Sequence, residues 1–534
     1  MKKLLTILAM LLCISSNIFA VDFSAVNSDG KTIYYNITSP TTVEVTNEFP
    51  YEYTGTLNIP ATVVHNGDTY NVTAIGNNGL SYCEVLTTVV LPSSIISIGA
   101  YAFQHCSGLT SITLPEGLIS IGEKAFRNCY ILESIDIPNS VTTIEDGAFY
   151  DCYALETVTL GEGLTYIGSQ SFSGCYALTT VVYNAKNCLT MRGAGFGTSE
   201  NFNSLTIGEQ VVSLPSKAFS SCDGLTSVTI PNSVITLGDS IFYGCDGLTS
   251  ITIGNGVTSI GKSAFSSCWS LESLTIPDNV VSIGEAAFSV LDITTLTIGT
   301  GLTSLGSEAF SGCRNLQTLN WNAIDCQFEE TSFVRFDALT SLNIGEDVQV
   351  IPAHSFNFSN RLTKVVIPAN VTSIGEAAFD FGPAFSYLDT FIVKSVNPPT
   401  IHQKSFSYNY SHISTPLIIP CGSLSSYETA ENWSFFTNKI EDCNSGVGIE
   451  DVAEQSDITI YPNPVMDDAV LNIDDLTEDV NIILTDEQGR QVSLSTMKAG
   501  ERTLTLNTNS LPSGIYFVRI VGNTIQRTEK IIKK

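Results

Sequence analysis

Residues Leu248–Cys268, LTSITIGNGVTSIGKSAFSSC, decide how this chain is read. Large apolar side chains fall only at Leu248, Ile251, Ile253, Val257, Ile260 and Phe265. The first three have the spacing L-x-x-I-x-I, and the alternation at Ile251 and Ile253 predicts a short strand with one buried face. Gly254 breaks that strand, and a second extended piece, V-T-S-I, ends at Gly261. The pair Ala264-Phe265 then closes the unit. One such unit is too small to bury its own apolar face, so it needs a copy of itself on either side.

The copies are present. Phenylalanine recurs at 103, 126, 149 and 172, always 23 residues apart, and continues at 196, 219, 242, 265, 288, 310, 333, 356 and 379 with gaps of 22 to 24. Leu80 fits one period earlier, and Phe406 ends the series after a gap of 27, which makes fifteen copies. A chain of 534 residues exceeds one ordinary core. A repeat array grows in one dimension and escapes that limit. The fold class is therefore mainly β: a leucine-rich-repeat solenoid of about fifteen coils with a 23-residue period. At a strand spacing near 4.8 Å the coils would span roughly 70 Å. The stretches Ser97–Leu109 and Ser259–Leu271 both read SIG-x-x-AF-x-x-C-x-x-L. In this the repeat resembles the BspA-like leucine-rich repeats of bacterial surface proteins, over about residues 55 to 443. The resemblance implies adhesion to host matrix or to a cell surface.

The repeats sit between other segments. Residues 1–20 read as a signal peptide: Lys2 and Lys3, an apolar run from Leu4 to Ile14, then a cleavage site after Ala20. Residues 21–79 form an N-terminal cap, in which Asn66-Gly67 between β-rich flanks predicts a hairpin. The solenoid proper covers 80–394, and a last coil and C-terminal cap cover 395–443. In that cap Ser423 to Ala430 reads as a short helix, with Trp433 covering the final coil. Residues 444–457 are a Gly-, Ser- and acid-rich linker. Residues 458–534 alternate in short runs, Val480–Thr485, Thr503–Asn507 and Ile515–Val521, which predict a small C-terminal β-sandwich.

That last segment also resembles a known domain, the type A sorting domain of the type IX secretion pathway of Bacteroidota. The matching residues are Tyr461-Pro462-Asn463-Pro464, Asp486 with Gly489-Arg490, Leu511 with Ser513-Gly514-Ile515-Tyr516, and Lys530-Ile531-Ile532-Lys533. The resemblance implies the type IX machinery as a partner and passage through the periplasm. Removal of the domain and release or attachment at the outer surface would follow.

Composition narrows the function. The net charge of −29 repels phosphate backbones and anionic lipid surfaces, so nucleic acid is not an expected partner. No segment after the first twenty residues reaches the length of a membrane span. Nine of the fourteen cysteines (83, 106, 129, 152, 175, 222, 245, 268 and 313) stand three residues after the repeat phenylalanine or Leu80. Ser199, Leu291 and Phe336 replace them elsewhere, so free thiols acting as small buried groups are expected there. Cys188 and Cys326 lie off this ladder in two variant coils, after Tyr183-Asn184-Ala185 and Trp321-Asn322-Ala323. Cys421 and Cys443 flank the C-terminal cap and are the disulfide candidates. The five histidines form no metal-ligand spacing, and no nucleophile elbow, zinc-protease or phosphate-loop motif occurs. The expectation is a non-enzyme with no cofactor and no metal.

The candidate ligand face is the outward side of the L-x-x-I-x-I strands. It carries Thr113, Asp136, Thr159, Thr206, Thr229, Thr252, Thr275, Thr297, Asn320, Asn343 and Lys364. Threonine on a strand also serves the ladder itself, because cross-strand Thr and Ser pairs stabilise a sheet. The interruptions of the Thr rows are therefore more informative, among them Asp136, Val182 with Tyr183, and Asn320 with Trp321. The two aromatics occupy the site of a buried Ile, so a place in the core is the competing reading for them. Three functions follow: binding of an unknown protein or glycan ligand, a passive surface-layer or spacer role, and ice binding through the Ser/Thr-x-Thr rows.

Overall fold

The computed structural model describes residues 21–47, 53–443 and 458–534, less 189, 194–195, 197–199, 329–335, 358, 382–387, 407–412, 462–464, 466–467, 474–475, 477, 487–489, 510 and 523–525. The signal-peptide and linker readings fall outside the described residues, as do Ser199 and Phe333. The chain divides into two compact units, 1–442 and 443–534.

In the larger unit each coil gives two strands. The L-x-x-I-x-I segments form strands of two to five residues, such as Leu86–Val90, Ser273–Ile276, Thr295–Ile298 and Thr318–Trp321. The V-T-S-I segments form two-residue strands, such as Ser259–Ile260 and Ser282–Ile283. Every coil runs the same way, so like strands pair in parallel and in register, Thr295 opposite Thr318 and Ser259 opposite Ser282. The inward residues Leu296, Ile298, Leu319 and Ile283 are buried.

The third side of the coil is more ordered than a closing turn. Residues two before and two after the repeat phenylalanine hold positive φ, as at Tyr101 and His105 (both 59°) and at Lys124 and Asn128 (52° and 64°). This alternation aims every second N–H along the stack. Tyr101, Phe103 and His105 donate to the carbonyls of Glu123, Ala125 and Arg127 in the next coil at 2.7–2.8 Å. The intervening Ala102, Gln104 and Cys106 donate back to Gly99, Tyr101 and Phe103 within their own coil. The segment thus places its N–H groups in a third hydrogen-bonded wall, although it contains no strand.

Inside that wall the phenylalanines form one column. Ten rings from Phe103 to Phe310 stack in unbroken succession, with centroids 4.9–5.7 Å apart and planes within 18° of parallel. The cysteines stand beside it. All eleven described cysteines of the repeats are buried and free. They do more than fill space: Cys129, Cys152 and Cys175 donate their thiol hydrogens to Phe103, Phe126 and Phe149 carbonyls at 3.2–3.4 Å, and Cys245 and Cys268 do the same to Phe219 and Phe242. Each of these five thiols ties a coil to the carbonyl of the phenylalanine in the coil before.

Both ends of the stack are covered. Strands Phe23–Val26, Thr32–Ser39 and Thr42–Thr46 pair antiparallel, and the last pairs parallel with Asp68–Ile75, which continues into the second sheet at Ser97–Ile98. The Asn66-Gly67 hairpin joins Thr62–His65 to Asp68–Ile75, with φ of 53° and 90° as a type I′ turn requires. At the other end a short helix, Leu424–Thr429, lies within the span read from the sequence. Trp433 is fully buried, and its indole N–H donates to Pro399 at 2.8 Å. Cys421 and Cys443 are disulfide-bonded.

The smaller unit holds two antiparallel sheets. One orders Ile458–Tyr461, Ala469–Ile473 and Thr503–Leu506; the other orders Gln491–Met497, Val480–Asp486, Gly514–Val521 and Gln526–Lys533. Leu471, Ile482, Leu484, Val518 and Ile520 pack in its core.

Two stability predictions follow from the stacked wall. Burial pushes the Cys175 and Cys313 thiols up to about 12, while in the unfolded chain they would titrate near the ordinary value. Their stabilising effect is therefore complete below the unfolded value and is lost as pH rises towards 12, by about 1.4 kcal/mol per pH unit for each thiol. Guanidinium unfolding should show a falling midpoint between pH 8 and pH 11, and Cys175→Ala with Cys313→Ala should flatten that slope. Val290 holds φ of 58°, a conformation that disfavours a β-branched residue. Val290→Gly should raise stability by about 1 kcal/mol in the same assay.

Candidate functional site

The outward row of the first sheet comes together as one face. Asp136 lies opposite Thr159, Thr229 opposite Thr252, Thr275 opposite Thr297, and Asn320 opposite Asn343. Val182 separates Thr159 from Thr206. Thr113, Asp136, Thr206, Thr229, Thr252, Thr275, Asn343 and Lys364 are exposed, while Thr159, Thr297 and Asn320 are half-buried. Lys364 belongs elsewhere in register. It starts its strand and pairs with Thr390, so it stands in the neighbouring outward column with Ser341, and Val366 takes its place in the row.

Part of this row is ladder chemistry. Asn343 Nδ2 donates to Asn320 Oδ1 at 2.8 Å, and Asn320 Nδ2 donates to the Thr297 hydroxyl at 2.9 Å. Threonines at the strand entries do likewise: Thr110, Thr249 and Thr340 donate to carbonyls one coil back. The regular pairing of the face is also interrupted at four points: between Ser111–Ile112 and Ser134–Asp136, between Ser204–Ile207 and Ser227–Thr229, between Ser250–Thr252 and Ser273–Ile276, and between Ser341–Ile344 and Lys364–Ile367. Tyr183 and Trp321 contribute no surface. Both are fully buried and meet the phenylalanine of the following coil edge-on, Phe219 at 5.8 Å and Phe356 at 6.4 Å.

Two hollows open on the face. One, of about 510 Å³, is bordered by Thr252, Thr275, Thr297, Asn255, Asp278 and Asn322. The other, of about 300 Å³, is bordered by Thr113, Glu116, Asp136, Pro138 and Asn139. The early coils also carry a column of tyrosines at the entry to the strands. Tyr130, Tyr153 and Tyr176 each follow a ladder cysteine, and their rings stack at 5.0 and 5.6 Å along the solenoid. The signal was available as three Cys-Tyr pairs at the repeat period. Among the described residues no three His, Cys, Asp or Glu side chains gather as metal ligands.

The sorting residues lie in the smaller unit. Tyr461 ends its first strand, while Pro462, Asn463, Pro464 and Gly489 lie outside the described residues. Arg490 and Asp486 form an ion pair at 2.7 Å, and the Arg490 amide also donates to that carboxylate. The Tyr516 hydroxyl donates to Pro512, on the strand that Gly514 begins. Lys530 and Lys533 sit on the last strand, Lys533 opposite Gly514.

These features define a repeat protein: a parallel-β solenoid carrying an exposed side-chain face, followed by a small antiparallel β unit. The BspA type leucine rich repeat region matches residues 73–194, 189–317, 291–413 and 326–453, and the chain belongs to that family. The secretion system C-terminal sorting domain matches 459–534 and directs the chain through type IX secretion to the cell surface or extracellular space. Karilysin of Tannerella forsythia is 31% identical over 88 residues, 15% of this chain, and the chain spans only 19% of karilysin's length. A leucine-rich repeat protein from Bacteroides ovatus is similar in structure, 24% identical with a TM-score of 0.47, over 78% of this chain and all of the other. The pneumococcal vaccine antigen PcpA is 16% identical with a TM-score of 0.31, over 79% and 99%. Among the described residues no helix is long and apolar enough to cross a membrane.

The sorting unit gives a direct prediction. Deleting residues 458–534 should leave the repeat unit inside the outer membrane, and fractionation of the producing bacterium should find it in the periplasm rather than at the surface or in the medium.

Proposed function

We propose that the repeat unit is a non-catalytic binding module that attaches its bearer to a protein or glycan on another surface. The observation that carries this reading is the outward strand face, where a row of side chains stands free of the core beside two hollows. An extended face of this kind suits a macromolecular partner, because affinity there comes from a few anchors spread over a wide area. The thiols support the non-catalytic reading: burial raises Cys152, Cys175 and Cys268 and so suppresses the thiolate that nucleophilic chemistry needs. A spacer role and ice binding through the Thr rows are less well supported. Val182 and Asn320 interrupt the rows, and the breaks in pairing prevent one continuous array.

The test is an array of matrix proteins and cell-surface glycans probed with the purified secreted protein. Saturable capture by a subset of spots is expected. A blank array, with self-assembly into sheets or fibres by the protein alone, would instead identify a structural layer.

A further inference from the structure

The proposed binding role leaves open where a partner sits and what chemistry it has, and the early coils bear on both. Tyr153 and Tyr176 are 44% and 58% exposed, an unusual investment for rings that serve no core. Three residues after Tyr130 and Tyr153, Glu133 and Glu156 open successive strands, one above the other, with the Glu156 amide bonded to the Glu133 carbonyl at 2.8 Å. Both are exposed, and so is Asp136 at the mouth of the hollow of about 300 Å³. Like charges stacked on neighbouring strands destabilise a sheet.

Some acids of the chain are neutralised by a neighbouring lysine. Glu123, Glu162, Glu285 and Glu346 each hold a lysine at 2.6–2.8 Å. Among the described residues no lysine or arginine stands within ion-pair distance of Glu116, Glu133, Asp136 or Glu156. The same coils also show what their tyrosines accept. Lys124 lies over Tyr101 at 5.5 Å, Arg127 over Tyr150 at 5.3 Å, and Arg192 over Tyr166 at 6.0 Å. Cations over tyrosine rings are thus a contact that these coils already make within the chain.

Resting on the binding role proposed above, we infer that the rim formed by Tyr130, Tyr153, Tyr176, Glu133, Glu156 and Asp136 docks an arginine- or lysine-rich segment of a partner protein. Such a segment would complete the acids that lack a cation and cover the exposed rings in one contact. Charge excludes the other occupants. A second copy of a chain with net charge −29 is repelled, and so is any polyanion.

The experiment measures binding of the full chain to an immobilised oligo-arginine peptide, with an oligo-glutamate peptide and a neutral oligosaccharide alongside. Selective capture by the arginine peptide is expected, weakening as salt rises. Tyr153→Ala with Tyr176→Ala, and separately Glu133→Gln with Glu156→Gln, should each weaken it about tenfold. Asp223→Asn with Asp246→Asn removes the same charge at exposed sites that follow a cysteine in later coils, and should leave binding unchanged. Far-ultraviolet circular dichroism of each variant confirms that the coils remain folded. Equal losses in all three variants would overturn the inference by showing attraction to net charge alone. Failure to bind the arginine peptide, or equal capture of the oligosaccharide, would overturn it as well. Matrix or cell-surface capture that persists unchanged in the rim variants would sink this inference while leaving the binding role standing, whereas a blank array sinks that role itself.

Discussion

Stacking in register is the constraint on which the rest of this protein depends. Each backbone position must find its own copy one coil away, at a β spacing near 4.8 Å, on every side of the coil. Two sides meet the demand with parallel strands. The third does so by alternating left-handed and ordinary residues around the phenylalanine, so that successive N–H groups point up the stack and back into the coil. That arrangement tolerates non-glycine residues at positive φ in coil after coil, including Tyr101, His105, Lys124 and Val290. Each carries a local cost of about 1–2 kcal/mol, offset by an inter-coil hydrogen bond and by placement of a buried ring on its column.

The same constraint accounts for cysteine at the ladder site. The Phe126 carbonyl accepts the Cys129 amide of its own coil and still has a lone pair facing the coil above. The group that meets it must be small, buried and a donor. A thiol satisfies all three with little desolvation cost, because it is a weak donor to begin with. Where Leu291 replaces it, the donor is absent from that coil, yet Cys313 in the next coil still reaches back to Phe288.

Periodicity made the fold legible in the sequence, since the buried positions repeat and their spacing identifies two strands and a closing phenylalanine. The hairpin at Asn66-Gly67 and the cap around Trp433 were legible through turn chemistry and an isolated large aromatic. The third wall was not, because positive φ at Tyr101 or Lys124 has no residue-type signature; only the occasional glycine, as at Gly147 or Gly174, betrays it. The outward face was legible in part. Strand alternation finds which residues point out, and it found the Thr and Asn rows. It put Lys364 in the Thr row, whereas Val366, two residues on along the same strand, occupies that row and Lys364 the adjacent outward column. The tyrosine column lies at the corner between turn and strand, outside the strand alternation, and only its recurrence after the ladder cysteines marks it.

The two variant coils show what happens when the constraint is relaxed. Tyr183-Asn184-Ala185 and Trp321-Asn322-Ala323 place a larger ring where other coils have Ile, and both rings turn edge-on to the next phenylalanine. Each Asn side chain lies against a glycine one coil on, Gly208 and Gly345, where a Cβ would stand within 2.7 Å of its Oδ1. The second sheet loses its regular pairing after both coils, between Thr190–Met191 and Ser213–Leu214 and between Gln327–Phe328 and Val350–Ile351. The first sheet, with four-residue strands at these points, stays paired through Tyr183 to Ile207 and through Trp321 to Ile344. The two walls are therefore not interrupted at the same points: the first sheet stays paired across both variant coils, where the second breaks.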